Sequence, residues 1–224
     1  NVDAGCSNGA NAGNGQRAAL YQFDAGSLNI MPTVNSEMEC PGCGASVSLQ
    51  DKECAFCGRK LTFTSLNFKE VRRTTFKESA KFLNAYKNAL QGSPDNPEVL
   101  ASLGYVLLDR GQYEEAADAL DKACSNGADD PDVLFQAALA HFKTKKPFQI
   151  KLKEAESIIA RLDSAITMEA RPQYLFAKAQ LIDLLFERRF VRYRESSASI
   201  LRQADAAGLT DADRTDIESL LAAK

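Results

Sequence analysis

The stretch "NPEVLASLG", Asn96 to Gly104, recurs twice downstream, as "DPDVLFQAA" (Asp130–Ala138) and "RPQYLFAKA" (Arg171–Ala179). Each copy opens on X-Pro, continues with a polar residue and an apolar pair, and has a small residue at its ninth place. Pro97 and Pro131 stand 34 residues apart, and Pro131 and Pro172 stand 41 apart. The middle unit therefore holds a seven-residue insertion, placed most simply in "KTKKPFQIK", Lys143 to Lys151. Asn96 and Asp130 are good helix N-caps, and a proline just after them is tolerated because the first-turn N–H has no helical partner. Leu100, Leu103, Leu107 and Leu108 then recur at helical spacing. Gly111 ends this helix, and Tyr113, Ala116, Leu120 and Ala123 form the apolar stripe of a second. Gly104 and Ala138 are small where a neighbouring helix must come close.

A 34-residue period of paired helices with Gly104, Gly111, Ala116 and Ala123 at these places resembles the tetratricopeptide repeat. One departure is Ala128, which stands where the family carries a terminal proline. Upstream, "SAKFLNAYKNALQGSPDNP" resembles the second helix of a preceding unit, with Tyr86, Ala89 and Pro94 in register and Phe82 where a small residue is usual. Its first helix is not evident, because Phe63–Arg73 is β-branched and polar. Downstream, "LKEAESIIARLDSAI" and "ESSASILRQADAAG" supply second helices, the latter stopped by Gly208. Thr210 and Asp213 predict a capping-box start to a final amphipathic helix, as the open end of a repeat stack requires. The resemblance runs from Ser79 to Lys224 and implies a mostly α fold. The expected architecture is an α-solenoid of about three helix pairs with a capping helix.

The four clustered cysteines pose a separate question. In "MECPGCGASVSLQDKECAFCGRKL", Met38 to Leu61, two Cys-x-x-Cys-Gly pairs stand ten residues apart. Each pair can fold as a knuckle that aims two sulfurs at one point, and Gly44 and Gly58 can take positive φ cheaply. Two facing knuckles supply an S₄ set that suits Zn²⁺, with iron as a chemically reasonable rival. A thioredoxin-like redox site needs one such pair in a βαβ setting, which is missing here. The pattern resembles the short zinc ribbon of bacterial proteins, with Ala55 where proline is frequent. That resemblance implies one structural zinc held by Cys40, Cys43, Cys54 and Cys57, behind a small β ribbon. The remaining cysteines, Cys6 and Cys124, are isolated, which predicts a reducing, cytoplasmic setting.

These readings divide the chain into a Gly/Asn-rich tract with a β-hairpin (1–36), the ribbon (37–62), a linker (63–78) and the helical repeats (79–224). Counting from each proline, the first helices would line a concave groove with Tyr105, Phe135, Phe142 and Phe176, an aromatic row able to accept an apolar peptide. The alternative is that these rings fill space between helices. Ala101 and Tyr105 stand where the family's chaperone-tail binders carry Lys and Asn to clamp a terminal carboxylate, so that activity is not implied.

Charge is uneven although the net is only −3. Acids dominate Asp109–Asp132, while Lys143–Lys153 and the helix-like "ERRFVRYRE" are basic. Solvated faces are the plain reading, and self-association or an acidic partner the sharper one. The ribbon's own charges sum to −1, which does not suit a phosphate-binding surface. No run of about 18 apolar residues predicts a membrane span, and no leader pattern predicts a signal peptide. The single histidine, His141, lies at a helix-packing position, and no nucleophile–base set or phosphate loop accompanies it. The expectation is a non-enzymatic protein–protein adaptor or assembly factor with a structural zinc and a protein or peptide partner. Its rival is a nucleic-acid accessory factor using the ribbon and the Arg188–Arg194 stretch.

Overall fold

The computed structural model describes residues 37–61 and 76–222. The expected hairpin in 1–36 and the chain at Phe63–Arg73 lie outside them. Two strands, β1 (Glu37–Glu39) and β2 (Ser46–Ser48), pair antiparallel with Met38 opposite Val47. Eight α-helices follow among the described residues: α1 (Phe76–Gly92), α2 (Pro97–Asp109), α3 (Tyr113–Ser125), α4 (Pro131–Thr144), α5 (Leu152–Met168), α6 (Pro172–Leu185), α7 (Ser197–Ala206) and α8 (Asp211–Ala222). Short 3₁₀ turns stand at Pro147–Gln149 and Glu187–Arg189. Each helix from α1 to α6 packs on the next, α2 also touches α4, and α8 lies on α6. This is the tetratricopeptide-like stack of helix pairs, with a small β element before it and a last helix over its end.

The caps explain where the helices start. Asn96 accepts the N–H of Val99 at 2.9 Å, and Asp130 accepts that of Asp132 at 2.9 Å. Thr210 and Asp213 bond reciprocally, as a capping box requires. Pairing is close because Gly104 faces α3: a Cβ there would meet Leu120 Cγ at 2.5 Å. The expected insertion of the middle unit is divided. The α4–α5 turn, 145–151, is longer than the 110–112 turn of the preceding pair, and α5 is longer than α3. The stretch expected to be helix-like at 187–195 is helical only over the 3₁₀ turn Glu187–Arg189, because Phe190 takes a left-handed φ of 57° and ends it.

There are two contiguous cores, and α4 is divided between them. The first joins α1, α2 and α3 to Val133, Ala137 and Ala140 of α4. It also contains Met38, Val47, Leu49 and Leu61 of the ribbon. The second joins the other face of α4 to α5, α6 and Ile217 of α8. Ribbon and stack therefore share one apolar interior. Tyr86, fully buried in α1, donates its hydroxyl to the Leu61 carbonyl at 2.6 Å, and the Arg59 guanidinium stands over the Phe82 ring.

Candidate functional site

The two cysteine knuckles are built alike. The N–H of Gly44 bonds to the Cys40 carbonyl and that of Gly58 to the Cys54 carbonyl, each at 2.8 Å. The N–H of Cys40 returns to Ala45 and that of Cys54 to Arg59, also at 2.8 Å. Such a closed turn needs positive φ after the second cysteine, and Gly44 (78°) and Gly58 (67°) supply it. Gly42 donates to Cys40 Sγ.

The four sulfurs all lie within 4.8 Å of one another. Cys40 and Cys57 are 3.6 Å apart, and Cys43 and Cys54 are 3.7 Å apart, across the two knuckles. These are not disulfides, since all four cysteines are free. A tetrahedron with metal–sulfur bonds of about 2.3 Å has edges of about 3.8 Å, so the set fits a single S₄-ligated ion. Cys40 and Cys54 are buried, while Cys43 and Cys57 face solvent. Burial works against ionisation of Cys54, but backbone N–H groups of Cys57 and Phe56 and the neighbouring thiols draw it down to about 7. At Cys57 the Arg59 N–H favours the thiolate, yet burial and the three other thiols push the group up to about 12. Four thiolates so close together need a cation at their centre.

The aromatic row expected in a groove is a different matter. Tyr105, Phe135, Phe142 and Phe176 are 0%, 4%, 3% and 1% exposed, and of the four only Tyr105 stands on the wall of a described cavity. Neighbouring elements cover them. Phe135 stacks on Tyr174 with centroids 5.0 Å apart, and Arg214 of α8 stands over Phe176 at 5.3 Å. Gln173 of α6 bonds Asp213 of α8 at 2.9 Å, which holds the last helix in place. Helical register identified the face these rings occupy but not what would cover it.

His141 belongs to an ionic staple between helices. Its Nε2 lies 2.8 Å from Asp121 Oδ2 on α3, and Arg161 on α5 donates to both oxygens of that carboxylate. Arg161 also donates to Ser157 Oγ at 2.7 Å. Burial raises the Asp121 carboxyl, but the His141 bond and the Arg161 charge win and hold it below its usual range. Its contribution is therefore present at neutral pH and lost as the pH falls through that depressed value. Asp121→Asn should cost about 1–2 kcal/mol at neutral pH, at the modest end for a charged bond because the carboxylate is partly open to water. Urea unfolding at neutral pH checks this, and the gap from wild type should close in acid.

Sequence reasoning placed Tyr105 at a groove but missed the other walls of the cavity beside it. A space of about 520 Å³ opens between the ribbon turn (Leu49, Lys52), the start of α2 (Asn96, Glu98) and the α3–α4 turn (Asp129, Asp130). Burial pushes the Asp130 carboxyl up. No motif marks such a junction, since its walls come from three separate segments. Of the basic stretch, Arg188 bonds Asp183 at 2.7 Å, Arg189 donates to the Ile150 carbonyl at 2.8 Å, and Arg194 pairs with Asp163.

Residues 80–142 match the tetratricopeptide repeat family model, the span from α1 through most of α4. No curated protein matches the chain. No helix among the described residues is long and apolar enough to cross a membrane.

Proposed function

We propose that this chain is a non-enzymatic protein–protein adaptor whose first end is closed by a structural zinc ribbon, acting in the reducing cytoplasm. The observation that carries this reading is the shared core: Met38, Val47, Leu49 and Leu61 pack with α1–α3. An S₄ set leaves no ligand position open for chemistry, so the metal's role here is to hold a fold, and zinc is the usual occupant of such sites. The second support is the repeat match, since stacks of this kind present surfaces to other proteins.

With the aromatic row filled from within, recognition falls to outer faces. The exposed acids Glu114, Glu115 and Asp118 of α3 offer a negative face. A partner with basic side chains suits them. Reversal of Glu114, Glu115 and Asp118 to Lys should abolish capture of the cognate partner from host extract and leave the melting temperature unchanged. Undiminished capture by that variant would remove the acidic face from the reading. Binding of single-stranded nucleic acid that weakens with salt, and no protein capture, would replace the adaptor with an accessory factor.

A further inference from the structure

Among the described residues, four helical ends close in the same way. At Gly111, Gly127 and Gly208 the N–H of the left-handed residue bonds three residues back and the next N–H bonds five residues back, as in Gly111→Leu108 and Gln112→Leu107. The fourth closure, Phe190→Glu187 with Val191→Phe186, has the same pattern but places phenylalanine at the left-handed position. A side chain there costs backbone energy that glycine avoids. The ring recovers nothing by packing, because Phe190 is 99% exposed. The local fold thus gains nothing from a phenyl group at this place.

Its surroundings are consistent. The turns inside the helix pairs stack along one rim of the array, and they lengthen from 110–112 to 145–151 to 186–196. The bond from Arg189 to the Ile150 carbonyl ties the second of these turns to the third. Three of the five large exposed apolar side chains among the described residues, Phe148, Leu152 and Phe190, stand on this joined rim. Three of its acids are already matched, Glu154 by Lys145, Asp183 by Arg188 and Glu195 by Lys178, and Glu187 accepts from Ser197, so cations still outnumber acids on the two turns. Exposed Lys146, Lys151 and Arg192 enter no ion pair among the described residues, so the rim is locally positive on a chain of net charge −3.

We propose that this rim docks on an anionic membrane surface, with Phe190 and Phe148 entering the headgroup boundary and the free cations facing lipid phosphates. Protruding rings with no wall beside them suit a medium that deforms around them, whereas a folded partner would need a matching cleft. Leu152 adds to burial in lipid but has no face on which a base could stack. Each basic residue near such a surface adds to attraction that salt screens.

The chain contains no Trp, so Phe190→Trp in the full-length, metal-loaded protein gives a single reporter at the tip. Its emission should shift to the blue with phosphatidylcholine vesicles containing phosphatidylserine, and return in high salt. Phe190→Gly should keep or raise the melting temperature and weaken sedimentation with those vesicles roughly tenfold, as should Phe148→Ser. Met168→Gln, at the far end of α5 from the rim, should bind as wild type does. No blue shift with the anionic vesicles, or undiminished sedimentation of Phe190→Gly, overturns the proposal. A shift with a single-stranded oligonucleotide and none with vesicles overturns it too, and assigns the rim to nucleic acid.

Discussion

Chelation of the metal is expected to unfold residues 37–61 and to lower the melting temperature of the helical stack with them. The ribbon's regular structure is two three-residue strands and an isolated bridge at Glu53 and Lys60. A lone two-stranded pair is marginal in water. Its four buried apolar side chains face the first core, so they stabilise the ribbon only once the knuckles are formed. Ligation of a structural zinc contributes about 10–16 kcal/mol in small fingers, enough to decide whether this segment folds. Once it is lost, Leu61, Met38 and Leu49 leave α1, and the exposed face of α1 destabilises the pairs beyond it. Hydrogen exchange should show protection vanishing across 37–61 and falling in α1, with α6 and α7 little changed. Cys40→Ser should reproduce the effect, since its thiol is one of the two buried ligands. Elemental analysis should find one zinc per chain. Iron, or no metal at all, would overturn the zinc assignment, and full protection in chelator would overturn the structural role.

The second large effect is expected at Tyr86. This ring is 0% exposed and its hydroxyl bonds the last described carbonyl of the ribbon, at Leu61. Burial pushes its phenol well above the ordinary range, so it is a neutral donor at any working pH. Tyr86→Ala removes a large side chain where ribbon, α1 and α2 meet, and should cost about 3–5 kcal/mol. Tyr86→Phe removes the hydroxyl alone and should cost about 1–2 kcal/mol, because the buried carbonyl at Leu61 loses a donor and the Ser102 side chain loses a partner. Urea unfolding of the metal-loaded protein measures both. A Tyr86→Ala variant as stable as wild type would mean that the ribbon does not depend on α1.

What could be read along the chain was whatever depends on neighbours in sequence. The caps at Asn96 and Asp130, the turn at Gly111, the capping box at Thr210 and the close approach at Gly104 all follow from local backbone needs. The convergence of Cys40, Cys43, Cys54 and Cys57 was legible for the same reason, since two-residue spacing commits each pair to one turn. The aromatic row was not. Tyr105 and Phe176 hold the expected helix positions, but their burial depends on neighbours distant in the chain, such as α8 over Phe176. His141 is similar: its role as a link in a staple needed Asp121 and Arg161, from two other helices.

A period of paired helices and a four-sulfur knuckle set follow from residues close in the chain, because turn geometry, capping and helical spacing act within a few residues. That ribbon and repeats share one core, that the last helix covers the ring of Phe176, and that the turns at 145–151 and 186–196 meet along one rim emerge from how distant segments pack. Those outcomes come from burial of apolar surface, which has no direction along the chain and so leaves no local pattern to read.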